Sequence, residues 1–240
     1  RALGAIYRNV SPAAQAVARL MAQPVTPSML VFMDADAVRL ARDVGGADLP
    51  PHAGALLMIE ADGDAQTLPH DMEALMRAAD GEGVVSLDDA ADEAAREKLW
   101  AARKALSPSL RTLAPGKINE DVVVPVSRIP QLVDGVHALS REFELPIVCF
   151  GHAGNGNLHV NLLYHPEDAA QTARAHAAMA RVFALTLSLG GTLSGEHGIG
   201  LAKREFMPQA IDVPTLAMMR AIKAAFDPDG ILNPGKLLPD

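Results

Sequence analysis

Cysteine is nearly missing from this chain: Cys149 stands alone among 240 residues. That excludes a disulfide within the chain and a cysteine-based zinc site. Aromatic residues make up only 4%, which disfavours platforms on which nucleic-acid bases stack. Positive charge is in deficit, with 21 Lys and Arg against 29 Asp and Glu, for a net charge of −8. A surface of that sign argues against binding nucleic acid or an anionic membrane by charge. No apolar run reaches membrane-spanning length, and no signal peptide is visible. A nucleotide-binding loop is missing too. Gly-x-Gly sequences occur, but none follows a strand and opens a helix with an acid further on, and Gly-Lys-Ser/Thr is absent. Residue 1 is arginine and the first methionine is Met21, so a fragment or a processed product is expected.

What is present suffices for a core. Hydrophobic residues are 49% and charged residues 21%, as in a globular chain of one large domain or two small ones. Arginine outnumbers lysine 15 to 6 and alanine is abundant, a bias of GC-rich bacterial genomes. Ser11-Pro12 reads as a helix start, with Ser11 as N-cap. Residues 29–33 read as a strand, 34–43 as a helix, 54–60 as a strand and 69–80 as a helix. Val84-Val85 reads as a short strand, and Asp88 as the cap of a helix running to Lys104. These signals suggest an α+β sandwich within 29–105, with helices on one face of an antiparallel sheet. Two prolines and the Pro115-Gly116 turn make 107–119 a loop. Beyond it come a strand at 122–124, a helix at 127–143, strands at 146–150 and 159–164, and helices at 166–188 and 213–226. Asp227-Pro228-Asp229-Gly230 ends the last helix.

Two glycine-flanked segments carry the chemistry. One runs Gly151-His152-Ala153-Gly154-Asn155-Gly156-Asn157-Leu158-His159; the other is Gly195-Glu196-His197-Gly198-Ile199-Gly200. The glycines make a helix across the first unlikely to hold, so a strand–turn–strand is expected, with His152 and His159 at the rims of one tight loop. Glu196 could complete a three-ligand site with open positions, the pattern of a catalytic metal. His197, beside Glu196, would then be left as a base over the substrate. The bland alternative stays open: turn residues with no ligand. His52, His70, His137, His165 and His176 lack such surroundings and read as solvent-facing or structural. Arg103 and Lys117 would suit a carboxylate substrate, by a bidentate fork and a point charge. Either could equally be a solvated charge, which is how Lys104 reads. Asn157 and Asn161 flank His159 and could bond a substrate or cap the turn.

Taken together, five stretches resemble the C-terminal half of FAD-linked oxidases of the vanillyl-alcohol-oxidase superfamily, among them flavin-type D-lactate dehydrogenase, the glycolate oxidase D-subunit and D-2-hydroxyglutarate dehydrogenase. They are Leu99 to Arg103, Asp121 to Pro130, Gly151 to Asn161, Gly191 to Gly200 and Asp227 to Lys236, in family order over most of the chain. The resemblance implies a ferredoxin-like antiparallel sheet with helices on one face, plus C-terminal helices. It implies a substrate or cap domain over 1–206, a C-terminal helical segment with a flavin-proximal tail over 207–240, and an N-terminal FAD-binding domain that this chain does not contain. It implies that His152, His159 and Glu196 hold zinc or manganese and that His197 takes the hydroxyl proton of a D-2-hydroxy acid. Arg103, Asn161 and, less closely, Lys117 match substrate contacts, and Asn233 matches the flavin-proximal tail. With the composition bias, a bacterial enzyme is expected, of cytoplasmic location or peripheral to the inner membrane, and a homodimer is compatible. Two other readings remain: a non-catalytic module that binds a metal and a carboxylate, and a metal-dependent hydrolase.

Overall fold

The structure, a computed structural model, describes residues 1–90 and 92–239. The Asp240 end of the expected C-terminal segment therefore lies outside the described residues.

Seven strands form one antiparallel sheet in the order β4-β1-β3-β2-β6-β7-β5. The strands are β1 (Ala2–Tyr7), β2 (Met29–Met33), β3 (Ala55–Glu60), β4 (Val84–Ala90), β5 (Gly116–Val123), β6 (Ile147–His152) and β7 (Asn157–Tyr164). The helices are α1 (Val10–Ala22), α2 (Ala35–Asp43), α3 (Leu68–Ala79), α4 (Glu93–Ser109), α5 (Ile129–Phe143), α6 (Ala169–Ser188), α7 (Gly200–Lys203), α8 (Met207–Ala210) and α9 (Val213–Phe226). Strands β1 to β4 with α1 and α3 have the β4-β1-β3-β2 order of the expected ferredoxin-like unit, and β6, β7 and β5 continue the sheet.

Side chains alternate across each strand, so the sheet has two apolar faces. Leu3, Phe32, Leu57, Cys149 and Val160 point to one face, where α1, α3, α5 and α6 lie. Ile6, Met33, Leu56 and Phe150 point to the other, which in addition carries α2 and α4. On that face β7 and β5 carry buried polar residues: Asn157, His159, Asn161 and Asp121. Asp34 fixes the entry to α2: its carboxylate accepts from Ala37 N–H at 2.9 Å, a cap worth about 1 kcal/mol.

The structure corrects several boundaries. Strand β1 was not foreseen, yet it sits between β4 and β3, so the ferredoxin-like unit begins at residue 2 rather than 29. Its sequence Ala-Leu-Gly-Ala-Ile-Tyr is buried on both faces and shows no alternation for periodicity to detect. Helix α1 is preceded by Asn9, not Ser11; Pro12 falls within its first turn, where its missing N–H leaves no bond unmade. Asp88 lies in β4, and α4 is capped by Asp92, which accepts from Ala95 N–H. The 107–119 loop is mostly absent. Helix α4 runs on through Pro108 to Ser109, and β5 begins at Gly116, because pairing with β7 outweighs the turn signal.

Candidate active site

The site begins as one row across the sheet. Phe150 of β6 lies opposite His159 of β7, which lies opposite Asp121 of β5. Directly opposed residues share a face, so these three side chains lie on the face that carries α2 and α4. His152 pairs with Asn157, two residues before His159. The two histidines are therefore diagonal neighbours on one face of a hairpin. A short 3-10 turn, Ala153–Asn155, brings them there. Gly156 closes that turn at φ 79°, and a Cβ on it would stand 1.9 Å from the Val124 carbonyl oxygen. Seven residues of sequence thus reduce to 5.8 Å between ring centroids, with the rings edge to face.

Glu196 arrives from the loop after α6. Its Oε1 lies 3.1 Å from His159 Nε2. One candidate ligand atom from each of His152, His159 and Glu196 falls within 4.8 Å of the others. His159 is buried, and its Nδ1 has no hydrogen-bond partner. Burial holds its imidazole below the ordinary value. Glu196 opposes the shift, while His152, His197 and Arg103 add to it. The neutral ring so favoured is the form that binds a metal.

His197 stacks on His159, centroids 5.3 Å apart and planes at 22°. Its Nδ1 faces Asp121 Oδ1 at 3.4 Å and its side chain is 39% exposed. Arg103 reaches the cluster from α4. Its guanidinium lies 4.7 Å above the Phe150 ring, and burial works against its charge while Glu196 supports it.

The remaining expected residues are placed less closely. Asn161 is fully buried and donates its amide N–H groups to the Val148 and His159 carbonyls, so that Oδ1 is left without a partner. Asn157 also has a buried, unpartnered Oδ1. Lys117 is exposed on β5, four residues before Asp121, about 13 Å along the strand. Asn233 lies in the exposed tail after α9, at φ 48°, and among the described residues no hydrogen bond ties it to the histidines. Two residues were not singled out from the sequence: Asp121 and Lys203. Asp121 is fully buried, and its Oδ2 accepts from the backbone N–H groups of Gly195 (2.8 Å), Glu196 (2.6 Å) and His197 (2.9 Å). Ser194 Oγ and Lys203 Nζ donate to it as well. Burial would raise the Asp121 pKa, but the amides of Glu196 and His197 together with Lys203 hold it well below the usual carboxylate range. An acid in the apolar run Asp121-Val122-Val123-Val124 was the available signal.

Comparison with known proteins bears on what this arrangement belongs to. The family model described as FAD linked oxidases, C-terminal domain, matches residues 1–237. The chain belongs to this family. It is 35% identical over 237 residues to the glycolate oxidase subunit GlcD of Bacillus subtilis (strain 168), covering 99% of the chain and 50% of that protein. It is 28% identical over 243 residues to a D-lactate dehydrogenase of Anaerostipes hadrus, covering 96% and 50%. The chain thus spans about half the length of the curated relatives it matches. Among solved structures, p-cresol methylhydroxylase with substrate bound aligns over all of the chain and 52% of its own, at 13% identity and a TM-score of 0.76, a likeness of fold. As an FAD-linked oxidase domain, the chain presents a donor set that suits a divalent ion of borderline hardness: two imidazoles, one of them with its second nitrogen unpartnered, and a carboxylate.

Proposed function

We propose that this chain is the substrate- and metal-binding portion of an FAD-dependent oxidoreductase that oxidises a D-2-hydroxy acid, of the lactate, glycolate or 2-hydroxyglutarate type, to the 2-oxo acid. One observation carries the reading. The candidate ligand atoms of His152, His159 and Glu196 lie within 4.8 Å of one another, with His197 stacked alongside on His159. Family membership and the names of the relatives support the reaction class.

His152, His159 and Glu196 would hold the ion, zinc or manganese. Such an ion, when bound, would supply Lewis acidity that lowers the pKa of the substrate alcohol. FAD, when bound, would supply the acceptor for the hydride of the carbon that bears the hydroxyl. His197 takes the hydroxyl proton. Its Nδ1 is turned toward Asp121, which orients the ring and steadies the charge it gains. Arg103, already set against Phe150, receives the substrate carboxylate by two parallel N–H bonds. Asn161 offers the free Oδ1, and Lys117 a charge at longer range. Phe150 and α4 wall one side of the site and limit water there.

Nothing in this chain resembles a pyrophosphate-binding loop. FAD is therefore assigned mainly to a separate FAD-binding domain as partner, with residues 1–206 as the cap and 207–240 as the segment that brings Asn233 to the flavin. Among the described residues no helix is long and apolar enough to cross a membrane. A cytoplasmic bacterial enzyme, and a homodimer, fit this reading. A second reading is favoured by the missing loop: the chain taken alone binds a metal and a carboxylate but turns nothing over. Membership of the oxidase family disfavours the hydrolase.

The test is His197→Ala in the intact protein. Turnover of D-lactate, glycolate and D-2-hydroxyglutarate should fall on the order of 10²–10⁴-fold. Zinc or manganese content by elemental analysis should be unchanged. Near-normal turnover on the preferred acid would remove His197 from the mechanism.

A further inference from the structure

The metal reading leaves one matter open: what holds Glu196 in place. Its side chain is 46% exposed. Its carboxylate lies against His159 and His197 and, among the described residues, takes no hydrogen bond elsewhere. A ligand without packing around it keeps its direction only if its backbone is fixed. The backbone here is fixed from one point. Three successive N–H groups, of Gly195, Glu196 and His197, converge on Asp121 Oδ2. Successive amides point at a common centre only when the chain curls into an anion-holding nest. Ser194 Oγ donates to Asp121 and itself accepts from Gly198 N–H at 2.8 Å, which closes the turn at its far end. Glycine fits closely at 195: a Cβ there would lie 2.7 Å from Val123 Cγ2 and 2.8 Å from Asn157 Nδ2, so those side chains would have to shift.

A buried carboxylate needs a counter-charge. Lys203 supplies it from α7. Its ammonium is buried, bonded to Asp121 Oδ1 and to the Leu193 carbonyl at 2.9 Å, and 3.2 Å from Glu120 Oε2. Glu120 and Asp121 are neighbours on β5, and their side chains leave opposite faces of the sheet. β5 is an edge strand, and Lys203 meets both carboxylates there. Asp121 is therefore held by the sheet through its own backbone and by Lys203 through its side chain.

From this we infer that Asp121, secured by Lys203, is the positioning residue of the site. It shapes the Ser194–Gly198 turn so that Glu196 faces the two histidines and His197 keeps Nδ1 directed inward. This rests on the proposed metal role of His152, His159 and Glu196. Asp121 touches neither substrate nor ion; it acts through the turn and through the His197 ring that it faces.

The experiment uses the intact protein stripped of metal with a chelator, as wild type, Asp121→Asn, Ser194→Ala and His152→Ala. Two quantities are measured: the amide hydrogen exchange of residues 194–198, and the affinity for Zn²⁺ alone and Mn²⁺ alone. In Asp121→Asn the amides of Gly195, Glu196 and His197 should exchange faster while those of β6 and β7 keep their protection. Affinity for both ions should fall roughly 10–100-fold. Unchanged exchange in the turn, or faster exchange with unchanged affinity, overturns the inference. Ser194→Ala keeps the charge pair and serves if Asp121→Asn does not fold. It should speed exchange at Gly198 and weaken metal binding; no change in either overturns the inference. If His152→Ala binds both ions as tightly as wild type, the metal reading itself has failed. Exchange rates alone then decide: faster exchange confined to the turn upholds the hold of Asp121 on it, and unchanged rates reject it.

Discussion

Arg103 illustrates how a side chain on this surface acquires a defined direction. Its stem rises from α4, and its planar head rests on the Phe150 ring, 4.7 Å from the centroid. Phe150 in turn stands opposite His159 in the sheet, so the guanidinium is referenced to the histidine cluster through one aromatic ring. Lysine would keep the charge but lose the flat stack and the fork. Arg103→Lys should lower kcat/KM for a 2-hydroxy acid roughly 10–100-fold, matching the loss of a charged hydrogen bond of about 1.5–3 kcal/mol. Steady-state kinetics checks it, and an unaltered kcat/KM would leave Arg103 a structural residue.

Individual residues also differ in how visible their place in the cluster is from sequence. His152, His159, Glu196 and His197 were legible because glycine-flanked polar residues stand out against apolar strands. Asp121 was not, because its partners lie 74–76 residues away.

At the scale of elements, the hairpin β6–β7 sets the spacing of the two histidines, and its turn tolerates little change. Gly156→Ala would place a methyl group against the Val124 carbonyl at a positive φ. It should destabilise the fold by at least about 2 kcal/mol, measured by urea unfolding. A second tie joins α5 to the α2 entry. His137 Nε2 stands 3.3 Å from Asp34 Oδ2, and Asp34 also accepts from Cys149 N–H at 2.7 Å. The hydrogen bond to Asp34 raises the His137 pKa, against burial, with Asp36 and Asp134 assisting. Burial raises that of Asp34, against its hydrogen bonds. Both shifts favour the protonated form in the folded state, so both make stability fall as pH rises. For His137 the stabilisation is complete below its ordinary 6.5 and is lost as pH climbs through the raised value. His137→Gln should therefore cost more stability at about pH 5.5 than at about pH 8.5. A denaturant midpoint difference independent of pH would contradict this. The same pair answers the sequence reading of His137 as structural or solvent-facing: it is structural.

At the scale of the whole molecule, the last helix is the least satisfied part. Helix α9 contributes Leu216 to the buried set, while Val213, Met218, Ile222 and Phe226 are exposed at 79, 67, 54 and 82%. Ile231 and Leu232 of the tail are exposed as well. The functional proposal assigns the flavin mainly to a partner domain. Residues 1–240 expressed alone and mixed with FAD should therefore give no stoichiometric yellow complex after desalting. A bound flavin spectrum at one per chain would contradict that assignment.

Sequence alone determined which residue types could do the chemistry, where most helices lie, and the family. Those are local properties: glycine-flanked polar residues, helical spacing, and motif order along the chain. Tertiary structure decided the rest. It placed β1 at the centre of the ferredoxin-like unit, although residues buried on both faces carry no alternation to read. It turned a seven-residue spacing into a diagonal contact, because strand register and not sequence distance governs which side chains meet on a sheet. And it brought Asp121 of the edge strand beneath a distant turn, where three amides and a buried lysine converge on one carboxylate.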